Sequence, residues 1–333
     1  MWVAGRSVPH HRSPAFRLAP GVAMVPSAAD LVIGRTRMDI GIGLPATIPG
    51  TPGTRIVQWA RAAEDRGFST LGVIDRLVYG NCEPLVTLGA AAAVTEQIRL
   101  MTSILLVPFR GNAALLAKQA ATVNHLSGGR LVLGMAIGGY EDDYAASGVP
   151  FSGRGRRFDA MLDEMTRIWA GEPRGAAGAI GPQPGVPPAR LVFGGHGERP
   201  FARVAARGAG WIAGSRGVDA FREGARAVRQ AWARHGRDGE PRLMAQPYFA
   251  LGPRARADAE SFLLDHYAVE GWDADKVASL ALTDATAIRD AVAAYEEAGC
   301  DELILFPCNP DPDQVHLLAD ALRGGRPVGG VNG

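Results

Sequence analysis

The sequence predicts an α/β protein, a closed (β/α)8 TIM barrel with an insertion loop between strand 4 and strand 5. Three observations predict it. Short apolar runs alternate with helix-length segments about eight times along the chain. Glycines punctuate the joints, as at Gly67 and Gly128-Gly129, where a positive φ stops a helix and turns the chain. The chain has 333 residues, enough for eight such units in series. A doubly wound open sheet is the alternative topology.

The units follow in order. Strands are expected at Asp39–Leu44, Thr70–Ile74, Leu100–Val107 and Leu131–Ala136, with helices at Thr54–Arg66, Pro84–Thr95, Ala113–Leu126 and Phe158–Ala170. A Pro/Gly-rich span from Gly171 to Pro188 reads as an insertion or lid. Strands resume at Leu191–Phe193, Gly210–Ala213, Leu243–Leu251 and Glu302–Phe306. The intervening helices are Pro200–Arg207, Ala220–His235, Ala257–Tyr267, Ala285–Ala298 and Pro312–Leu322. Residues 1–37 differ, with five arginines, four prolines and the single acid Asp30, and read as a flexible extension ahead of a barrel domain at 38–333.

Composition narrows the function. A net charge of +1 with no basic stripe interleaved with aromatics excludes a nucleic-acid footprint. No apolar run approaches the ~18 residues that span a bilayer. Cys82, Cys300 and Cys308 have no metal-ligand spacing and suit a reducing cytoplasm. The seven histidines are scattered, and no nucleophile elbow is present. With neither metal nor protein nucleophile in view, a bound cofactor is expected to carry the chemistry.

Active sites of such barrels lie at the C-terminal ends of the strands. There, Gly194-Gly195-His196-Gly197 follows a strand and opens a helix, so bared backbone N–H groups make an anion site of the kind that takes phosphate. His196, Arg199, Ser215 and Arg216 are candidate added donors. Asp75-Arg76, with Tyr79 close behind, ends strand 2. The pair reads either as a buried ion pair holding a loop or as an anion-stabilising group. Glu141-Asp142-Asp143 reads as a solvated loop or a helix start, since three adjacent acids cannot all face one ion.

Asp39 to Pro45, Ala63-Glu64-Asp65-Arg66-Gly67-Phe68, Leu116 to Thr122, Leu126 to Leu133, Tyr140 to Tyr144, Gly148 to Phe151 and Gly208 to Ile212 together resemble the bacterial luciferase-like flavin monooxygenases. The resemblance runs from Met38 nearly to the C-terminus. It implies a barrel that binds reduced FMN, delivered by a partner flavin reductase, or in sister branches the deazaflavin coenzyme F420. It also implies a non-prolyl cis peptide at Ser103-Ile104. The cofactor would be held by Asp75, Ser103, Ile104, Ile137, Gly138, Tyr140, Gly194, Gly195, His196, Gly197, Gly214 and Ser215. Arg76, Tyr79 and His196 are then the candidate catalytic residues, and a homodimer is implied.

Two departures from the family pattern stand out. Many relatives carry a histidine where this chain has Arg76, and an arginine cannot act as a base. Ile137 stands where a luciferase-type arginine would contact phosphate. The expected function is a two-component monooxygenase using reduced FMN and O2 on a small organic substrate. The alternatives are F420-dependent hydride transfer, a non-catalytic flavin-binding barrel, and a sugar-phosphate enzyme using the same anion site.

Overall fold

The structure, a computed structural model, describes residues 38–176, 178–269 and 273–323; residues 1–37, expected to form an extension, lie outside them. Among the described residues nine strands are present: β1 (Asp39–Gly43), β2 (Thr70–Val73), β3 (Arg99–Leu106), β4 (Leu131–Ala136), β5 (Leu191–Gly194), β6 (Gly210–Ala213), β7 (Arg242–Ala245), β8 (Tyr248–Phe249) and β9 (Glu302–Pro307). Neighbours pair in parallel from β1 round to β7 and then β9, and β9 returns to β1 through Asp39↔Glu302 to Ile42↔Leu305. That pairing closes the barrel. The expected strand Leu243–Leu251 is broken: β7 and β8 both pair with β9 but are separated by Gln246-Pro247. Pro247 has no N–H to give to a ladder, which accounts for the interruption.

The helices are α1 (Gly53–Asp65), α2 (Pro84–Ala92), α3 (Ala113–Leu126), α4 (Glu141–Ser147), α5 (Arg154–Trp169), α6 (Glu198–Arg207), α7 (Val218–Arg234), α8 (Ala255–His266), α9 (Ala274–Ser279), α10 (Ala285–Glu297) and α11 (Asp313–Arg323). Local chemistry sets their starts. Asn112 Oδ1 accepts from Leu115 N at 2.9 Å ahead of α3, and Asp284 Oδ1 accepts from Thr286 N and Ala287 N ahead of α10. α4 and α9 have seven and six residues, too short to show a helical period in sequence. The acidic triplet is the first turn of α4, where carboxylates suit the helix dipole. Asp143 is nonetheless fully buried, not solvated.

Met101, Val192, Ile212, Met244, Ile304 and Phe306 cluster as one buried core, while a second cluster fills the layer between strands and helices. The Phe306 ring sets the inner packing. A Cβ at Gly43 would fall 2.3 Å from it and one at Gly72 2.7 Å, so glycine there makes room for the aromatic. At the strand N-termini, Glu302 accepts from Ser69, Thr70, Arg99 and Arg242, and Arg99 and Arg242 each reach Asp39 at 2.9 Å. These residues belong to the starts of β1, β2, β3, β7 and β9, so the ionic cluster plugs the barrel floor. The span from Gly171 to Pro187 lies between α5 and β5 with only the isolated bridge Pro173↔Ala179 among its described residues. It is anchored through Lys118, Asn124 and Gln183.

Candidate cofactor site at the barrel mouth

A cavity of about 680 Å³ opens at the C-terminal ends of the strands. Twelve of the expected residues line it: Asp75, Arg76, Ile104, Ile137, Gly138, Tyr140, Gly194, Gly195, His196, Gly214, Ser215 and Arg216. Ser103, Tyr79 and Gly197 do not, and neither does Arg199. The insertion span contributes no lining residue among those described, so nothing shows the expected lid. Four elements of the wall escape the sequence reading: Gln246 in the break between β7 and β8, His266 and Tyr267 at the end of α8, Lys276 with Val277 and Leu280 at α9, and Arg203 on α6.

One end of the cavity suits an anion. Gly197 and Gly217 precede α6 and α7 at φ +99° and +85°, and neither helix start has a side-chain cap, which leaves first-turn N–H groups for a ligand. The turn is held from behind, because Trp211 Nε1 donates to the Gly195 carbonyl at 2.9 Å. His196, Arg203, Arg216 and Lys276 line this region. Arg203 is fastened to both oxygens of Asp159 at 2.8 and 3.2 Å. His196 has its pKa lowered by burial and by the Arg216 charge, which keeps it neutral near pH 7. The Ser215 hydroxyl is committed, donating to the Gln246 carbonyl at 2.5 Å. It can offer an arriving anion only its backbone N–H.

The middle of the cavity is apolar, walled by Ile104, Leu106, Ile137, Ile212, Val277 and Leu280. The Ser103-Ile104 peptide is cis, as the resemblance implied, and the β3–β4 register shifts between Thr102 and Leu105. Ser103 itself is buried and donates to Gln246 Oε1 at 3.0 Å. The Ile137 carbonyl accepts from the Tyr144 hydroxyl.

Asp75 and Arg76 do not pair with each other. The Asp75 carboxylate accepts from Arg110 Nη2 and from Leu106 N, both at 2.8 Å. Burial pushes its pKa upward against the opposing pull of Arg110. Arg76 turns the other way: Nε reaches Asp143 at 3.0 Å and Nη2 reaches Asp142 at 3.1 Å. The Tyr140 ring covers the guanidinium, with its centroid 3.5 Å from Cζ. Tyr79 lies behind this wall, its hydroxyl on Asp265 at 2.6 Å and its ring edge-on to His266 at 4.8 Å. As a proton donor to a ligand in the cavity it is out of place.

Among the described residues, no group of three or more His, Cys, Asp and Glu is arranged to hold a metal, and no helix is long and apolar enough to cross a membrane.

The sequence profile of luciferase-like monooxygenases matches residues 38–323. An uncharacterized protein of Mycobacterium tuberculosis is 35% identical over 172 residues, 49% of this chain and 60% of that protein. The chain thus spans under two thirds of that relative's length. The 2,5-diketocamphane 1,2-monooxygenase 1 of Pseudomonas putida is 32% identical over 139 residues, 39% of this chain and 38% of the other. Among solved structures, an F420-dependent secondary alcohol dehydrogenase with an F420–acetone adduct superposes with a TM-score of 0.72 at 17% identity, covering 87% of this chain and all of that one. An oxygenating constituent of 3,6-diketocamphane monooxygenase from Pseudomonas putida, in complex with FMN, gives 0.65 at 15% identity, covering 86% and 96%. With the family profile covering all but the ends of the chain, and the barrel itself in agreement, this protein belongs to the luciferase-like monooxygenase family.

Proposed function

We propose that this chain is a two-component monooxygenase that takes reduced FMN from a separate flavin reductase and uses O2 to oxygenate a small organic substrate. The observation that carries the reading is the cavity's division into an anion-binding end and an apolar middle. A phosphate would meet the first-turn N–H groups of α6 and α7 beside Arg216 and Lys276. A planar ring system would lie along Ile104, Leu106, Ile137 and Ile212. When bound, the reduced flavin supplies the electrons that activate O2. The chain's apolar side chains keep water from that region. Arg76, tied to two carboxylates and permanently protonated, takes no proton from an alcohol, which disfavours alcohol oxidation by hydride transfer. The diketocamphane monooxygenases among the relatives fit this reading.

A second reading is F420-dependent hydride transfer in the reductive direction. It is favoured by the number of cations at the anion end, where Arg203, Arg216 and Lys276 exceed what one phosphate requires. The F420-dependent neighbour fits it.

Equilibrium fluorescence titration with FMN, reduced FMN and F420 separates the two. Reduced FMN is expected to bind at roughly micromolar Kd. NADH and a flavin reductase should then support O2-dependent product formation. Micromolar F420 binding with no binding of FMN in either redox state overturns the first reading.

A further inference from the structure

A second cavity, of about 160 Å³, lies behind one wall of the first. The two share Ser215, Val277 and Leu280 as lining residues, so the turn after β6 and the helix α9 stand between them. Val218 at the start of α7, Leu282 after α9, and Ala291 and Ala294 on α10 extend the apolar lining. Leu280 is 37% exposed, and Ala291 and Ala294 are partly exposed, which leaves a way in from solvent between α9 and α10. Protein interiors pack like organic crystals, with few voids larger than a water molecule, so a pocket of this size is an unusual feature.

Its chemistry narrows the occupant. No charged side chain lines it. The backbone there is already engaged: the carbonyls of Gly217, Pro247, Tyr248 and Leu282 accept from the N–H groups of Phe221, Phe306, Leu282 and Ala250. Of the lining hydroxyls, Ser215 donates to the Gln246 carbonyl, and Tyr248 is paired with the Tyr267 hydroxyl at 3.0 Å. Only the Tyr295 hydroxyl is left uncommitted among the described residues. A trapped water needs roughly two to four polar partners, and an apolar cavity of roughly 150 Å³ stays dry and takes a small ring such as benzene.

We propose that this pocket is an accessory binding site for one small neutral hydrocarbon ring, separate from the cofactor cavity and coupled to its anion end through α9. Val277 and Leu280 line both cavities, while Lys276 beside them lines the larger one alone. The Gly217 turn, which precedes the anion-facing start of α7, rests on the same helix: a Cβ there would lie 3.6 Å from Leu280 Cδ2. An occupant fills the space behind these groups and steadies the wall that carries Lys276. Occupancy therefore favours anion binding, and by linkage the anion favours the occupant by the same factor. The site does not depend on the function proposed above; FMN enters only as a reporter of the coupling.

The test uses the full chain labelled with methyl-¹³C alanine and benzene as the probe, titrated with and without FMN. Benzene should shift the Ala291 and Ala294 methyl resonances saturably, with a roughly millimolar Kd. Benzylammonium, a ring that carries a charge, should leave them unmoved. With benzene saturating, FMN should bind about threefold more tightly, whereas a probe lodged in the cofactor cavity would compete with it. Ala294→Phe fills the pocket from α10, and neither the Ala291 shift nor the FMN response should remain in it. Ala291→Leu, a smaller filling, should weaken the Ala294 shift at least about threefold and keeps the test open if the phenylalanine is not accommodated. Unmoved alanine methyls in the wild-type chain overturn the site, as do benzene shifts that persist undiminished in both variants. Unchanged or weaker FMN binding under benzene overturns the coupling. If FMN does not bind at all, the function proposed above fails, the alanine shifts still decide the site, and inorganic phosphate replaces FMN as the reporter.

Discussion

Asp143 faces Arg76 at 3.0 Å where both side chains are almost wholly shut off from water, at 1% and 2% exposure. The other oxygen of the same carboxylate accepts the backbone N–H groups of Leu77 and Val78 at 3.1 and 2.7 Å. One aspartate on α4 therefore fixes both the cation at the mouth and the loop after β2. Replacing it by asparagine leaves a buried guanidinium poorly compensated, and we expect a loss of roughly 3–5 kcal/mol in urea denaturation. Asp142→Asn, at a 42% exposed partner, should cost less than about 1 kcal/mol. Similar losses for the two variants would show that the buried pair is not what holds the loop.

Acid stability should depend on the barrel floor. Arg99 and Arg242 hold Glu302 well below its usual 4.5, at about 2, despite the opposing effect of burial. A lowered folded-state pKa means that the stabilisation is complete above about pH 4.5 and disappears as pH falls through about 2. Its full size is on the order of 3 kcal/mol. Urea midpoints measured between pH 2 and pH 7 should fall across that window, and Glu302→Gln should flatten the fall. An unchanged slope in the variant would place the acid sensitivity elsewhere.

A Cβ at Gly194 would sit 2.1 Å from Ile104 Cδ1, the side chain that follows the cis peptide and lines the cavity. Gly194→Ala should therefore destabilise the fold by about 1–3 kcal/mol and weaken flavin binding by displacing Ile104. Ile104→Val removes the colliding methyl. The double variant should recover most of the loss, a non-additivity visible in a thermodynamic cycle. Strict additivity would mean that the two positions do not press on each other.

The anion end can be tested by omitting the anion. Arg216→Ala should weaken FMN binding about tenfold and leave riboflavin, which lacks the phosphate, within about twofold by fluorescence quenching. Equal losses for both ligands would remove the phosphate from this end of the cavity.

Much of this architecture is legible in local sequence. The periods of α3 and β4, for example, return their boundaries directly, and the strand-end rule brings Asp75, Arg76, Tyr140 and the Gly194 turn to one cavity. Partners that lie far apart in the chain are not legible. Asp75 and Arg76 are adjacent residues that diverge, one to Arg110 and the other to Asp143, and no local spacing reports such a swap. His266 escapes for a different reason. It closes a helix rather than a strand, so a rule about strand ends passes over it although it lines the same mouth. Gln246 reads as mid-strand because the apolar run continues across it.

The break at Gln246-Pro247 has a consequence for how this protein can vary. Gln246 receives the Ser103 hydroxyl on its side chain and the Ser215 hydroxyl on its carbonyl, and so joins the stave beneath the proposed ring site to the loop beside the anion end. A change at that one residue is felt at both places together. On the proposed reading, affinity for the tail and placement of the ring are therefore coupled through this one residue, and a change that retunes one retunes the other.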